Sequence, residues 1–271
     1  MTLTDHEQFV AHWLRPPLPS DNKYSRGVVS FVTGSQQYPG AALLGVQAAL
    51  RTGVGMVRYS GPLEVARDVL HNYPEVVFEP GRQDALVVGS GIPVPLTTDD
   101  GARVRDALAL KLPTVVDAGA LELVNECGSL CILTPHREEL RRTYRTLTGA
   151  DASDDREAAR AIASATGSIV LMKGSITTVV NPAGTFTELP EATPWLASAG
   201  TGDVLAGILG ALLAAQHERL GEPNALSDIA VAGSLLHAWA GREASQARGG
   251  GPISATDVAS QVSLVVGRLL G

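Results

Sequence analysis

The run Gly200-Thr201-Gly202-Asp203 stands directly before an apolar segment with helical spacing. Small residues ahead of a helix leave its first backbone N–H groups open to an anion, and the helix dipole favours negative charge there by roughly 0.3–1 kcal/mol. A carboxylate beside such an anion hole is placed to take a proton from a hydroxyl while the amides hold a phosphoryl group. An aspartate here also serves as an ordinary first-turn residue, but that role needs no Gly-Thr-Gly run before it. We therefore predict that Asp203 is a catalytic base and that Gly200, Thr201 and Gly202 form its anion hole.

Spacing excludes the other common phosphate-binding motifs. A Walker loop needs GxxxxGK[ST], and none of the three lysines, Lys23, Lys111 and Lys173, follows a glycine in that pattern. The glycine pairs Gly53-Val54-Gly55 and Gly89-Ser90-Gly91 do not complete the GxGxxG fingerprint of a dinucleotide site. The phosphate chemistry is therefore predicted to centre on Asp203.

Four further polar or small-residue segments each follow an apolar run of strand length. Each alone has a plain structural explanation as a long loop, a helix cap, a snorkelling lysine or a solvated histidine. Together they point to one site, because ligands of open α/β sheets bind at the carboxyl ends of the strands. The segments are Thr33–Ala42, Asp117–Leu121, Thr134-Pro135-His136 and Lys173-Gly174-Ser175-Ile176-Thr177.

Short apolar runs alternate with helix-like segments along most of the chain. This pattern predicts an α/β fold with a mostly parallel central sheet and helices on both faces, a three-layer α/β/α arrangement. Strands are predicted at 28–34, 76–79, 85–91, 114–117, 130–133 and 169–173, and helices at 41–52, 99–110, 137–147 and 156–166. A hairpin over 176–189, turning at Ala183-Gly184, and helices at 204–215, 226–246 and 255–270 complete the prediction.

Composition and charge restrict the classes of partner. A net charge of −7 disfavours broad attraction to nucleic acid or to an anionic membrane. No stretch reaches the ~18 apolar residues of a membrane span, and the N-terminus has no signal pattern. Cys127 and Cys131 form no CxxC pair, which is typical of reduced thiols. We expect a cytoplasmic protein without nucleic-acid or membrane partners.

Six segments in a fixed order resemble the ADP/ATP-dependent NAD(P)H-hydrate dehydratases of the ribokinase-like superfamily. The resemblance covers about residues 25 to 270, so we expect one ribokinase-like domain at 25–271 after an N-terminal extension at 1–24. The segments are GSQQYPGA (34–41), VVGSG (87–91), VVDAGAL (115–121), LTPHREEL (133–140), VLMKGSITTVV (170–180) and ASAGTGDVLAGILGALLA (197–214).

The resemblance implies dehydration of the S epimer of hydrated NADH or NADPH, driven by ADP, which becomes AMP and phosphate, or by ATP. It also implies Mg²⁺, a homotetramer and a separate epimerase as functional partner. Hydrated cofactor would be lined by Ala41, Gly91, His136 and Asp203. Adenine nucleotide would be held by Lys173, Gly174, Ser175, Ile176, Thr177 and Gly202.

Some positions depart from the family pattern, and two other functions stay open. Glu138 stands where the family usually has glycine, Ser90 replaces the proline of a GPG run, and Thr193-Pro194-Trp195 replaces an Asn-Pro-Gly run.

A kinase of the same superfamily, acting on a thiazole or pyrimidine alcohol, would use the same Asp203 as its base. A nucleotide-sensing protein without catalysis is the other alternative, but a sensor needs the amides and no base.

Overall fold

One sheet organises residues 5–271, the part of the chain that the computed structural model describes. The strand order is β2-β1-β3-β4-β5-β6-β7-β8, in which β1 to β6 run parallel and β7 and β8 are antiparallel additions at one edge. The strands are β1 Val28–Val32, β2 Met56–Tyr59, β3 Ala85–Val88, β4 Thr114–Val116, β5 Cys131–Leu133, β6 Ile169–Met172, β7 Thr178–Val180 and β8 Phe186–Glu188.

Helices cover both faces of this sheet, as predicted for a three-layer α/β/α fold. On one face, α1, α2, α3, α7, α8 and α9 share a large apolar core with the sheet. On the other face, α4, α5, α6 and a 3₁₀ segment at Ala118–Glu126 form a second apolar core. The helices are α1 Asp5–Trp13, α2 Pro39–Thr52, α3 Leu63–Asn72, α4 Thr98–Ala109, α5 Arg137–Thr148, α6 Asp155–Thr166, α7 Thr201–Ala215, α8 Ala225–Gln246 and α9 Ala255–Leu270.

The central strands β1, β3, β4 and β5 are buried along their whole length. Their near-continuous apolar sequences follow from that position, because a parallel strand covered on both faces has no solvent side for polar residues. Parallel pairing brings the carboxyl ends of all these strands to one edge of the sheet. The loops that carry the predicted functional residues therefore start from a common edge.

Helix α7 is held against α2 and the sheet by close backbone contacts. A Cβ on Gly207 would lie 2.2 Å from the carbonyl oxygen of Gly45 on α2, and one on Gly210 would lie 2.2 Å from the Val87 side chain on β3. Only glycine permits this approach at either position. The two contacts fix where the first turn of α7, with Asp203, meets the edge of the sheet.

Several elements differ from the sequence prediction. The predicted strand at 76–79 is wrong, because only Val77 pairs there, in a single bridge to Arg58. Strand β2 and helices α1 and α3 were not predicted. The hairpin is confirmed, and its turn is closed by a hydrogen bond from the Gly184 N–H to the Asn181 carbonyl.

Helix α1 belongs to the same apolar core as α8 and α9, since Val10 and Trp13 are buried there. The boundary between an extension at 1–24 and a domain at 25–271 stays a prediction. No helix within residues 5–271 is long and apolar enough to cross a membrane.

Candidate active site

The first turn of α7 carries the residues predicted to form an anion hole. Gly200 precedes the helix with a φ of 90°, in the left-handed region that favours glycine, and a Cβ there would lie 2.6 Å from Leu44 Cδ1. No group within residues 5–271 accepts a hydrogen bond from the N–H of Thr201, Gly202 or Asp203. These three donors are therefore available to an anion.

The loop before α7 is tied to this turn by one side chain. The Thr201 hydroxyl contacts the carbonyl oxygens of Leu196 and Ser198 at 2.8 and 3.0 Å, which fixes the 3₁₀ segment Pro194–Leu196 to the helix start. On the other side of the turn, a Cβ on Gly202 would lie 3.4 Å from Lys173 Nζ. Gly202 thus leaves room for a cation directly beside the free N–H groups.

Asp117 is the buried centre of a hydrogen-bond cluster at the carboxyl ends of four strands, β3 to β6. Its Oδ1 accepts from Lys173 Nζ and from the Thr134 hydroxyl, each at 2.8 Å, and its Oδ2 accepts from the Ser90 hydroxyl at 2.9 Å. Glu139 is a second carboxylate near the ammonium, 3.8 Å from Lys173 Nζ. Asp117 occupies the position before a 3₁₀ helix, but its side chain makes no cap there. Of the two open interpretations of Asp117, the structure supports the site and not the cap.

The charges in this cluster stabilise one another. Burial acts to raise the pKa of Asp117, but the Lys173 ammonium and three side-chain hydrogen bonds outweigh it, so the pKa lies below its usual value. Burial acts to lower the pKa of Lys173, and the carboxylates of Asp117 and Glu139 outweigh that effect and raise it. The pair is therefore a fixed ammonium and a fixed carboxylate at neutral pH.

The pKa of Asp203 is shifted in the opposite direction to that of Asp117. Burial and the negative charge of Asp117 raise the pKa of Asp203 to about 7, with Lys173 opposing and Glu139 adding to the shift. Two carboxylates in one cluster are thus driven apart in pKa by their surroundings, a pattern typical of acid–base sites. A carboxyl group that titrates near neutral pH is suited to accept a proton from a hydroxyl.

A cavity of about 430 Å³ opens beside the anion hole, on the side of β6. Four of the predicted nucleotide residues after β6 line it, while the Ile176 side chain is absent from its walls and is half exposed. Glu191 and most residues of the segment from Ala192 to Ala197 also line it. The four residues are Lys173, Gly174, Ser175 and Thr177.

Helix α8 contributes a neutral histidine to the same cavity. Burial lowers the pKa of His237 to about 4, against a smaller opposing effect of a hydrogen bond to the Thr201 backbone. Its Nε2 is buried and has no hydrogen-bond partner within 3.5 Å among residues 5–271. His237 therefore presents an uncharged ring to whatever occupies the cavity.

The residues predicted to line hydrated cofactor are divided between two places. Gly91 lies against the start of α2, where an added Cβ would be 2.5 Å from Ala41 Cβ and 3.2 Å from Gly34 Cα. His136 instead lines the 430 Å³ cavity, and its Nδ1 accepts from the N–H groups of Glu138 and Glu139 at the start of α5. Its predicted contact with substrate stays a prediction.

A family model described as NAD(P)H-hydrate dehydratase (Carb_kinase) matches residues 29–263, which is most of the chain. The chain belongs to the NAD(P)H-hydrate dehydratase family. This agrees with the resemblance carried by the six sequence segments. The first turn of α7, the Lys173 segment and the Asp117 cluster all lie within the residues that match this family.

Curated relatives in the dehydratase family show the same relationship over part of their length. The bifunctional NAD(P)H-hydrate repair enzyme Nnr of Mycobacterium tuberculosis is 41% identical over 213 residues, which cover 73% of this chain and 43% of that protein. The matched part is thus less than half of this relative.

Two solved structures share the fold across nearly the whole chain. The Bacillus subtilis ADP/ATP-dependent NAD(P)H-hydrate dehydratase, co-crystallised with ATP and Mg²⁺, has a TM-score of 0.79 at 23% identity over 97% of both chains. An Enterococcus faecalis ribokinase-like superfamily protein has a TM-score of 0.81 at 17% identity, over 99% of this chain and 98% of that one. The fold is therefore ribokinase-like, as predicted.

Sequence reasoning on this dehydratase-family chain missed several residues of the site. Asp117 was left open as a cap, and Ser90, Glu139 and His237 were assigned no role. A signal existed for Asp117 and Thr134, since Asp117 ends a predicted strand, as Lys173 does, and Thr134 directly follows one. No comparable signal marks His237, which is a single histidine within a long helix.

Proposed function

We propose that this chain dehydrates hydrated NADH or NADPH at the expense of ADP or ATP, with Asp203 as the general base. The observation that carries the proposal is the raised pKa of Asp203, about 7, on a helix turn whose N–H groups have no partner within residues 5–271. A proton acceptor and an anion hole on one turn suit phosphoryl transfer to a hydroxyl group. Family membership supports the choice of substrate.

In the first step, Asp203 takes the proton of the hydroxyl on the hydrated ring. The oxygen of this hydroxyl attacks the terminal phosphorus of the nucleotide. The bond between that phosphorus and the bridging oxygen breaks, and AMP leaves when ADP is the donor. The N–H groups of Thr201, Gly202 and Asp203 stabilise the charge on the transferred group, and the Lys173 ammonium beside Gly202 adds to this.

In the second step, phosphate leaves the ring carbon with the electron pair of the C–O bond. A proton leaves the adjacent carbon, and its C–H electron pair completes the double bond of the dihydropyridine. The elements of water leave the hydrate and are taken up when ADP becomes AMP and phosphate. The reaction of the hydrate is therefore a dehydration. Phosphate is a far better leaving group than hydroxide, which explains the need for a phosphoryl donor.

Mg²⁺ fits this site through nucleotide phosphates and not through a ready-made cage. Within residues 5–271 there is no cluster of three side chains that could hold a metal ion. Glu139, 3.8 Å from Lys173 Nζ, is the carboxylate that would hold it, since Mg²⁺ commonly keeps one or two carboxylates, several waters and substrate phosphates. When bound, the ion neutralises charge on the phosphates during transfer.

Two further expectations rest on the family resemblance alone. The homotetramer stays a prediction, as does a separate epimerase as functional partner; the relative from Mycobacterium tuberculosis is named bifunctional. A pure nucleotide sensor is disfavoured because sensing gives no reason for a carboxylate with a pKa near neutrality.

The deciding experiment incubates the protein with hydrated NADH, Mg²⁺ and either ADP or ATP, and follows the absorbance of the reduced nicotinamide. We expect the absorbance to return with at least one nucleotide, together with release of phosphate in equal amount. A thiazole alcohol and a pyrimidine alcohol are offered in parallel. If the absorbance stays flat and one of these alcohols is phosphorylated, the protein is a kinase and the proposal is wrong.

A further inference from the structure

A second cavity, of about 480 Å³, lies at the carboxyl ends of β1, β2 and β3. Its walls come from the loop after β1, the start of α3 after β2, and the loop and first turn of α4 after β3. The polar residues that line it include Gln36, Gln37, Glu64, Asp100 and Arg103. Neither the base Asp203 nor the nucleotide residues after β6 are part of it.

The first turn of α7 borders the cavity of about 430 Å³ that is assigned to the nucleotide (the nucleotide cavity), and α7 packs on α2, which follows a loop of the second cavity. On one side, Gly202 adjoins Lys173, which lines the nucleotide cavity. On the other side, the Asp203 carbonyl oxygen lies 3.4 Å from the Cβ position of Gly45 on α2, and the loop that leads into α2 lines the second cavity. The strand order places the second cavity at β2, β1 and β3 and the nucleotide cavity at β6, so a substrate that reacts at Asp203 and extends away from the nucleotide extends towards the second cavity.

The size of the substrate requires such a second compartment. A hydrated dinucleotide consists of two nucleotides, and ligand pockets of roughly 300–1,000 Å³ enclose one drug-sized molecule. The nucleotide cavity has a volume of about 430 Å³, and the proposed function assigns it to the phosphoryl donor. Gly91 and Ala41, predicted to line the hydrated cofactor, lie beside the loops that lead to Gln36 and Pro93 in the second cavity.

The charges of the second cavity do not favour an additional phosphate. Arg103 donates to Asp100 at 2.7 Å, and Asp100 also accepts from the Thr97 hydroxyl at 2.6 Å, so this guanidinium is already neutralised by a carboxylate. Glu64 makes no ion pair or hydrogen bond within residues 5–271 and is exposed at the rim. Glu64 and Arg103 both line the cavity, and both act electrostatically on the buried Tyr59 hydroxyl, in opposite directions. Two carboxylates and one guanidinium leave a net charge of −1.

We propose that the second cavity binds the adenosine half of the hydrated dinucleotide, and that Glu64 favours a free ribose 2′-hydroxyl over a 2′-phosphate. This rests on the proposed function and adds a preference to it: hydrated NADH is the better substrate, and hydrated NADPH is the poorer one. A carboxylate accepts a hydrogen bond from a ribose hydroxyl and repels a phosphate, and this contrast separates the two cofactors in other dinucleotide sites.

The test compares kcat/KM for the two hydrates in the wild type and in Glu64→Gln, Glu64→Lys and Asp68→Asn. Asp68 is exposed on the same helix, α3, one turn further on and outside the cavity, so it serves as a matched control. We expect the wild type to prefer hydrated NADH. Glu64→Gln should shift the ratio towards hydrated NADPH by about 3- to 10-fold and Glu64→Lys by more, whereas Asp68→Asn should leave it unchanged. Equal ratios in the wild type and both Glu64 variants, or an equal shift in Asp68→Asn, would overturn the proposal.

A binding measurement separates this proposal from the proposed function. Titration calorimetry with ADP-ribose and with its 2′-phosphate, in the presence of saturating ADP, reports on the second cavity without any turnover. We expect ADP-ribose to bind more tightly, and Glu64→Gln to reduce the difference. If both hydrates are dehydrated but neither probe binds, the cavity assignment is wrong and the proposed function stands. If neither hydrate reacts while the probes bind with the expected preference, the proposed function is wrong and the cavity assignment stands.

Discussion

The Lys173 ammonium and the Asp117 carboxylate, 56 positions apart in the sequence, meet at 2.8 Å at the carboxyl edge of the sheet. Asp117 follows β4 and Lys173 follows β6, and the strand between them, β5, is followed by Thr134, which donates to the same carboxylate. The pair fixes the ammonium beside Gly202 and adds a negative charge to the surroundings of Asp203. One ion pair therefore helps both to position the nucleotide and to set the pKa of the base.

Replacement of Asp117 by asparagine should destabilise the protein. The Lys173 ammonium would remain largely buried with only Glu139, at 3.8 Å, to neutralise it. We expect the free energy of unfolding to fall by roughly 2–4 kcal/mol, measured by urea denaturation. The double variant Asp117→Asn/Lys173→Met removes the unpaired charge as well and should recover part of the loss. A loss below about 0.5 kcal/mol in the single variant would contradict this account of the pair.

Replacement of Asp203 by asparagine should abolish proton transfer while preserving the anion hole, because asparagine has nearly the same shape. We expect kcat to fall by about 10²- to 10⁴-fold, the usual contribution of a general base. The dissociation constant for ADP, measured by calorimetry, should change little. Asp106→Asn, on the exposed side of α4, is the control and should keep full turnover. Near-normal turnover in Asp203→Asn would remove this residue from the mechanism.

The pH dependence of kcat/KM should have an acid limb with an apparent pKa near 7. Burial and Asp117 raise the pKa of Asp203 to about 7, and only the deprotonated carboxylate accepts a proton, so activity should rise with pH through this range. Asp117→Asn removes a negative charge near Asp203 and should move the limb to lower pH. An acid limb that stays in place in that variant would show that Asp117 does not act on the base.

The raised pKa of Asp203 makes its carboxylate destabilising to the fold at pH values above the folded-state pKa. Its pKa rises from 3.8 to about 7 on folding, so the folded state binds the proton more tightly than the unfolded state between these values. The penalty is absent below about pH 4, grows as pH rises, and is complete above about pH 7. Asp203→Asn should therefore increase the free energy of unfolding at pH 8 by roughly 1–3 kcal/mol, with a difference that shrinks towards pH 4. Urea denaturation at both pH values measures this, and a variant less stable than the wild type at pH 8 would contradict it.

Most of the sheet and helix pattern was predictable from local sequence, and the failures have identifiable physical causes. Strand β2 contains Arg58, which is buried because its guanidinium donates to the carbonyl oxygens of Arg82 and Glu79 from a distant loop. A buried arginine satisfied by remote carbonyls breaks the apolar pattern by which buried strands are recognised. The predicted strand at 76–79 failed for the complementary reason: it is apolar enough, but only Val77 reaches a partner.

The sequence by itself determined which functional groups the site can use. These are a carboxylate after Gly-Thr-Gly at a helix start, and a lysine and glycine after a buried strand. These are local features, because a helix start and a strand end are read from neighbouring residues. Only the tertiary structure decided how they combine. The strand order brings Asp117, Thr134 and Lys173 together. The Lys173 ammonium and the hydrogen bonds keep Asp117 an anion in spite of its burial, whereas burial and the charge of Asp117 raise the pKa of Asp203 to about 7. Burial and strand order depend on the whole chain, so no single segment of sequence contains them.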